Sequence, residues 1–501
     1  MYALTQLSEP ITHWFKTHHD PPVAILSDFF LGWTQELATQ LGIPRIAFYC
    51  SGAFLVSVLD YLWINISEIH PLDVVTFYDI PNSPDFPKAH LPSVILRYSK
   101  SDPAFEFAKK GMVANMSSWG GVFNTFDELE SVYLEHLKKQ YGHERVWSVG
   151  PVALLDSGGA EGTERGGTNS ISAVDVVSWL DKCSDGSVVY VCFGSQVTLS
   201  SGQVEALTKG LEESGTRFIF VVKSTAVVPH GFEDRVADRG LVIKGWAPQV
   251  PILSHRAVGG FLTHCGWNSV LEGIVAGVML FAWPMEADQF VNAKLLVDDM
   301  GVAVRVCEGV DTVPNSDELA RFLAESMSGI GTEKVRAMEL REKALGAAKK
   351  GGSSIKDLVG FVEELPQMGG CGELVSSKAQ MEKSRACFSC GKLDHWYDRC
   401  PWIGSPCKRC NTGRFVKTSQ RLHSWGQKFL SCPKCQSFQW MKDALKESMP
   451  EQKPSQLSSQ VGGSSSVGSS NGKSKVCVQI EVDNLCEGFE AQVTVKRKGV
   501  V

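Results

Sequence analysis

Nowhere in the 501 residues does an apolar run reach the ~20 residues that a membrane-spanning helix needs, and this excludes a helical membrane protein. The opening, MYALTQLSEP, lacks the basic-then-apolar order of a secretory leader, so a reducing, cytoplasmic setting is expected, with the nucleus as the alternative. A disulfide framework is missing as well. Of 15 cysteines, eight crowd between Cys371 and Cys435, seven of them at metal-like spacings, while Cys50, Cys192, Cys265 and Cys307 stand singly in apolar segments as small core residues. A large charge excess is also absent, the net being −6, but the charge is laid down unevenly. Between Ser376 and Lys446 fourteen Lys/Arg face four Asp/Glu, a basic island on an acidic chain.

The rest of the chain has the length and apolar content (43%) for two or three cored domains. Pro22 to Ser27 (PVAILS) is a short apolar run of the kind found in parallel strands buried on both faces, with Asp28 at its carboxyl end. Helical periodicity follows from Trp33 to Leu41, then a strand from Arg45 to Tyr49 and an apolar helix from Ala53 to Leu62. A polar, glycine-rich stretch, 156–170, reads as an interdomain linker. Beyond it, Ser187 to Phe193 is a strand ending in Gly194-Ser195-Gln196, Gln203 to Ser214 a helix, and Arg217 to Val222 and Gly240 to Lys244 strands. Such alternation predicts an α/β fold with helices on both faces of a parallel sheet. Ligands of open α/β sheets bind beyond the carboxyl ends of the strands. Further helices are expected at Phe290 to Met300, Ser316 to Met327, Lys334 to Lys349 and Ser354 to Leu365.

The chain is organised around Trp246 to Gln289, WAPQVPILSHRAVGGFLTHCGWNSVLEGIVAGVMLFAWPMEADQ. An apolar run, Ala257 to Leu262, leads through Thr263-His264-Cys265-Gly266-Trp267-Asn268-Ser269 into an apolar-periodic segment, Val270 to Val278: strand, glycine turn, helix start. Unpaired backbone N–H groups and the positive dipole end welcome an anion there. His264, Asn268 and Ser269 add side-chain donors, a set suited to a diphosphate.

This 44-residue stretch resembles, without a gap, the signature box of plant UDP-dependent glycosyltransferases, and the likeness extends over most of 22–366. The resemblance implies GT-B architecture, two Rossmann-like halves with the first incomplete, and a UDP-sugar donor. It implies that Trp246 stacks on the uracil, that Gln249 and Glu272 hold the ribose, and that His264, Asn268 and Ser269 hold the phosphates. Asp288 and Gln289 would then bind the sugar hydroxyls, with Ala247, Trp267 and the Gly194-Ser195-Gln196 loop completing the donor pocket. Taken singly, Trp246 reads as a loop anchor, Glu272 as a solvated helix face and Asp288-Gln289 as an N-terminal helix turn; it is their joint spacing that favours a site. Met279 stands where many relatives carry proline and is expected to alter a turn.

The same resemblance makes Asp28 the acidic member of a catalytic pair, although a strand-end Asp capping the next helix is an equal reading of the residues alone. Its histidine partner belongs in an earlier loop, whereas His13, His18 and His19 sit in a polar, surface-like stretch. The chain is therefore expected to lack the opening βα units and the base, to expose an apolar sheet edge and to turn over weakly. The implied reaction is inverting transfer of a hexose, glucose by the residue Gln289, to a hydroxyl of a small molecule such as a flavonoid.

The resemblance stops near Glu364. Cys387, Cys390, His395 and Cys400 then stand as C-x2-C-x4-H-x4-C, and Cys407, Cys410, Cys432 and Cys435 as C-x2-C-x21-C-x2-C. Such loops are too small to bury a core, and four thiolate or imidazole ligands make a closed tetrahedral zinc site whose binding folds the peptide. The first set resembles a zinc knuckle and the second a GRF-type zinc finger, with Gln427 in place of that family's arginine and His423 as an alternative ligand. Two zinc ions per chain are expected. Phe388, Trp396, Tyr397 and Trp402 interleave with Lys392, Arg399, Lys408 and Arg409, which suits single-stranded nucleic acid, or else the aromatics pack on the metal loops. The expected domains are 1–155, 171–366 and 382–446, followed by a flexible linker and tail, 447–501. A second reading stays open: a zinc-dependent nucleic-acid-binding protein carrying an inactive glycosyltransferase remnant or a mis-joined gene.

Overall fold

The computed structural model describes residues 2–19, 21–69, 72–154, 169–329, 331–365, 402, 405–418, 428–447 and two short strands beyond. Residues 155–168, which include most of the linker expected at 156–170, and the zinc-knuckle residues Cys387, Cys390, His395 and Cys400 lie outside the described residues, as do His423, Gln427 and most of 448–501. Two compact units are present: residues 1–369 with 476–501, and residues 370–475.

In the first unit, β1 (Ile25–Asp28) and β2 (Arg45–Tyr49) belong to a parallel sheet. A side hairpin, β3 (Val74–Thr76) with β4 (Asp85–Pro87), intervenes before β5 (Gly120–Phe123) and β6 (Val146–Ser148) complete that sheet in the order β1-β2-β5-β6. Among the described residues β1 is an edge strand, and this corrects the expectation of a strand from Pro22 buried on both faces. With a described neighbour on one side only, it leaves Leu26 54% exposed, and Val23 just before it is 53% exposed. Before it, the helix Ser8–Thr17 buries no side chain, and His18 packs its ring on Trp14.

The second sheet is also parallel. It comprises β7 (Val188–Cys192), β8 (Arg217–Val222), β9 (Gly240–Lys244), β10 (Val258–Thr263), β11 (Met279–Ala282) and β12 (Ala303–Arg305), in the order β12-β11-β10-β7-β8-β9. Every residue of the central strands β7, β10 and β11 is buried, as helices on both faces require of a parallel sheet. Two local expectations change. The helix expected from Phe290 is the helix Gln289–Lys294 followed by a π-helical turn, Leu295–Asp299. Met279 is the buried first residue of β11, and the turn falls instead to Gly277 (φ +71°), which ends the helix Trp267–Ala276.

The last helix of this unit, Ser353–Glu364, returns to the first sheet. Asp357 accepts from Ser148 N at 2.7 Å, Ser354 donates to the Gly150 carbonyl at 2.5 Å, and Phe361 packs on Trp147.

In the second unit, β13 (Phe415–Thr418), β14 (Lys428–Ser431) and β15 (Phe438–Trp440) form an antiparallel sheet, followed by the helix Met441–Glu447. Leu430, Met441 and Ala444 make its small core. In the part of the first unit at 476–501, β16 (Val478–Ile480) pairs antiparallel with β17 (Val493–Val495). Among the described residues no helix is long and apolar enough to cross a membrane.

Candidate active site

At the carboxyl end of β10 the chain turns through Thr263–Gly266 into the helix Trp267–Ala276, whose N-cap, Gly266, offers no side-chain acceptor. Cys265 adopts φ +67°, a left-handed conformation that costs a non-glycine residue on the order of 1 kcal/mol. Asn292 Nδ2 holds it by donating to its carbonyl at 2.9 Å. The turn leaves the His264 ring between two glycines. A Cβ on Gly194, itself at φ +71°, would lie 2.8 Å from the ring, and one on Gly266 2.6 Å from Nε2. His264 Nδ1 is buried without a hydrogen-bond partner, and burial pushes the imidazole down to about 4, so it is neutral at ordinary pH.

Three other expected residues join one network. Gln249 Nε2 donates to Glu272 Oε2 at 2.8 Å and to Ser269 Oγ at 3.2 Å, and the Tyr190 hydroxyl donates to Gln249 Oε1 at 3.3 Å. Ser269 and Glu272 are one helical turn apart, on one face. Asn268 is exposed at the helix start. Trp246, half-buried beside buried Ala247, is fixed by backbone bonds with Ser170: its N–H donates to Ser170 Oγ at 2.9 Å and its carbonyl accepts from Ser170 N at 2.8 Å. After Gly194, Ser195 and Gln196 are half-buried, and Lys223 Nζ reaches the Gln196 carbonyl at 3.0 Å.

Asp288 and Gln289 lie at the start of the next helix and are partly committed to the protein. Gln289, 5% exposed, accepts at Oε1 from Met285 N at 2.9 Å and Glu286 N at 3.1 Å. Asp288 accepts from Asn292 Nδ2 at 2.8 Å and from the backbone N–H of Trp267, so part of the helix start expected for phosphate is occupied by a carboxylate. Burial outweighs these bonds and raises the Asp288 carboxyl. The Trp267 indole Nε1 donates to the Asn124 carbonyl at 2.8 Å, and its ring packs over Gly52, so this side chain ties the two halves together.

Asp28 closes β1. Its carboxylate accepts from Phe30 N at 2.8 Å, the capping arrangement that the residues alone allowed, and also from the Cys50 thiol. Burial raises its carboxyl, while Phe30, Cys50 and Arg45 oppose the rise. Among the described residues none of these partners is a histidine. The Cys50 thiol is pushed up chiefly by burial, and the charges of Asp28 and Asp288 add to the rise.

Sequence reasoning missed Glu130. Its buried carboxylate accepts from Ala53 N at 2.9 Å and Phe54 N at 2.8 Å, caps the helix Ala53–Ile64 and packs against Gly52. The signal was a carboxylate in the segment NTFDELE, where it read as one more charge on a helix face.

This geometry can be set beside known proteins. The family described as UDP-glucoronosyl and UDP-glucosyl transferase matches residues 169–321. A flavonol 3-O-glucosyltransferase of Arabidopsis thaliana is 49% identical over 380 residues, 74% of this chain and 78% of that protein. The chain belongs to the plant UDP-dependent glycosyltransferases. A flavonol 7-O-rhamnosyltransferase of Arabidopsis thaliana is similar at 41% over 381 residues, 72% of this chain and 78% of the relative. The crystal structure of Arabidopsis thaliana UGT89C1 complexed with UDP-L-rhamnose matches with a TM-score of 0.59 at 41% identity, covering 72% of this chain and 78% of that one. The same protein complexed with quercetin matches with a TM-score of 0.57 at 40% identity, over 72% and 77%. Proteins of this family are transferases, and the two α/β halves described above have its GT-B fold.

In the second unit, Cys407, Cys410, Cys432 and Cys435 bring their sulfurs within 4.8 Å of one another. Cys407 and Cys435 are 3.6 Å apart, Cys410 and Cys432 3.4 Å, close to the ~3.8 Å edge of a tetrahedron with Zn–S bonds of ~2.3 Å. Arg409 N points at Cys407 Sγ at 3.4 Å, and Asn411 and Gln436 take positive φ just past each pair, which wraps both loops around one point. The four thiols fit one zinc ion.

Proposed function

We propose that the chain binds a UDP-sugar on its second half and, as an inverting hexosyltransferase, directs the sugar to a hydroxyl of a flavonoid-like acceptor held by the first. The observation that carries this reading is His264: clamped between Gly194 and Gly266, neutral, and buried with an unpartnered ring nitrogen at a helix start, it is prepared for a phosphate oxygen. Asn268 and Ser269 would add donors to the phosphates, Gln249 and Glu272 would take the ribose hydroxyls, and Trp246 with Ala247 would cover the base. The Gly194-Ser195-Gln196 loop would face the diphosphate. Asp288 and Gln289 would hold the sugar, with glucose as the expected hexose.

The Asp28 carboxylate would act on the acceptor side, and because its described partners include no histidine, slow transfer is expected. Binding of UDP by the full chain together with slow glucosylation of a flavonol supports this reading. No UDP binding overturns the donor site, and fast glucosylation overturns the slow-transfer part. The reading carries a cytoplasmic location and the domain limits 1–155, 171–366, 382–446 and 447–501.

A second reading concerns the zinc module, and a specific observation favours it. Zinc would be held by Cys407, Cys410, Cys432 and Cys435, and would supply the cross-link that closes the two loops. The register of the three-stranded sheet then puts Phe415 and Lys417 of β13, Phe429 of β14, and Phe438 and Trp440 of β15 on one face. Phe429, Phe438 and Trp440 meet edge to face at 5.7–6.1 Å, and Phe415 and Phe438 are 55% and 62% exposed. Exposed rings beside lysine in a basic segment suit unpaired, stacked bases. Metal analysis of the purified full chain is expected to give two zinc ions, counting the knuckle set; a count of zero overturns the module. A salt-sensitive affinity for single-stranded oligonucleotides that falls in Phe438→Ala supports the nucleic-acid role, and no affinity at low salt overturns it.

A further inference from the structure

A hydroxyl buried in the second sheet reaches the donor site. Strand β7 reads VVYVC, and its side chains alternate between the two faces of the sheet. Val189 and Val191 enter one core, and Tyr190 enters the other, which it shares with the helices Gln249–Leu253 and Trp267–Ala276. Tyr190 is 1% exposed and packs its ring on Phe261 of β10, with ring centres 5.1 Å apart. Phenylalanine would fill the same space with no polar atom to satisfy, whereas a buried hydroxyl is costly without a partner. Gln249 is that partner, its Oε1 accepting from the hydroxyl at 3.3 Å.

The Gln249 amide can sit only one way round. Glu272 Oε2 lies 2.8 Å from its nitrogen, and a carboxylate accepts only from a donor, so the nitrogen end faces Glu272 and the oxygen end faces Tyr190. Both amide hydrogens are then committed, one to Glu272 and the other to Ser269 Oγ at 3.2 Å. The acceptors in this network are the Glu272 carboxylate and the Gln249 carbonyl, and a carbonyl oxygen has a second lone pair beyond the one that meets the tyrosine. A vicinal diol brings the two matching O–H donors.

We propose that Tyr190 is a positioning residue for recognition of the ribose diol: its hydroxyl holds the Gln249 amide, and the amide holds the Glu272 carboxylate, in the arrangement that accepts two hydroxyls. The proposal rests on the reading given above of Gln249 and Glu272 as the ribose pair. Acceptors held in place before the ligand arrives lose less rotamer freedom on binding, so the Tyr190 hydroxyl makes the site favour a ribonucleotide over its dideoxy counterpart. A tyrosine that only filled the core would affect both ligands alike.

Calorimetry of the full chain with UDP and with 2′,3′-dideoxyuridine 5′-diphosphate tests this, since only the first carries the diol. Wild type is expected to prefer UDP by about tenfold or more, as hydrogen bonds to a charged acceptor allow. Tyr190→Phe keeps the ring and deletes the hydroxyl. It is expected to weaken UDP by about three- to tenfold, the range of one neutral bond, and the dideoxy ligand by less than about twofold. Equal weakening of both ligands, or of neither, overturns the proposal. Glu272→Ala separates the proposal from the reading beneath it: there the preference for UDP is expected to fall toward parity. A preference lost in Glu272→Ala but kept in Tyr190→Phe overturns the proposal alone, and one kept in Glu272→Ala overturns the ribose reading and the proposal with it. If Tyr190→Phe does not fold, Gln249→Met decides from a half-buried position: an undiminished preference for UDP overturns the proposal, and one reduced as far as in Glu272→Ala supports it.

Discussion

Trp267 Nε1 donates to the Asn124 carbonyl at 2.8 Å, so the first residue of the phosphate-side helix is bonded to the loop that follows β5 in the other half. Around it, Arg97 pairs with Glu286 at 2.8 Å, the Tyr133 hydroxyl donates to Asp299 at 2.5 Å, and His90 stacks on Phe290 with ring centres 4.1 Å apart. The exposed ion pair adds little, whereas the indole itself is buried and packs over Gly52.

Replacing Trp267 with Phe keeps most of the packing and deletes the bond. The half-buried Asn124 carbonyl then loses this donor, at a cost of about 0.5–1.5 kcal/mol. The expected outcome is a lower unfolding midpoint and a several-fold weaker UDP affinity, because the helix start that carries Asn268 and Ser269 loses its anchor. Denaturant titration and calorimetry check it; an unchanged midpoint would show that the bond is not made.

Gly194 and His264 are expected to act as one unit. A methyl at Gly194 would strain a φ of +71° and meet the imidazole at 2.8 Å, so Gly194→Ala should displace the ring. Loss of one hydrogen bond to a charged phosphate is worth about 1.5–3 kcal/mol, so His264→Ala should weaken UDP binding by roughly tenfold or more. Gly194→Ala should approach that loss, and the double variant should add little to it. Full additivity in calorimetry would separate the two residues.

How much of this was legible in the sequence depends on whether a residue acts through local order or through a distant contact. Strand, turn and helix from Ala257 onward could be read because apolar periodicity and glycine punctuation are local. Gln249, Ser269 and Glu272 came together as expected, two of them one helical turn apart. The indole bond of Trp267 and the role of Glu130 were not legible because their partners, Asn124 and the Ala53 and Phe54 amides, lie 143, 77 and 76 residues away in sequence. Leu26 was read as doubly buried because composition cannot distinguish a central strand from an edge.

That edge has its own consequence. Among the described residues β1 pairs with β2 alone, and Leu26 with Val23 leaves apolar surface beside an edge of backbone groups that no described strand covers, a template for association between chains. Leu26→Lys removes apolar surface that is already half in water, so stability should change by less than about 1 kcal/mol. Aggregation on concentration should fall. Light scattering of the two chains at matched concentration checks this, and equal scattering would mean that the edge is covered in solution.

Asp60 supplies the pH dependence of stability. It sits in the helix Ala53–Ile64 at 5% exposure, accepts from the Tyr141 hydroxyl at 2.7 Å, and burial pushes its carboxyl up from 3.8 to about 7. The folded state thus holds a proton that the unfolded chain releases near 3.8. Stability from this group is fully present below about 4, declines as pH rises toward 7 and is constant above it. A three-unit difference caps the loss at about 4 kcal/mol. Asp60→Asn cannot ionise, and it can still accept from Tyr141. The expected result is a variant more stable than wild type at pH 8, with the two curves converging as pH falls toward 4. Unfolding midpoints measured from pH 5 to 8 check the sign: a wild type that gains stability relative to Asp60→Asn as pH rises would mean that the buried carboxylate is stabilised by its neighbours rather than opposed by its burial.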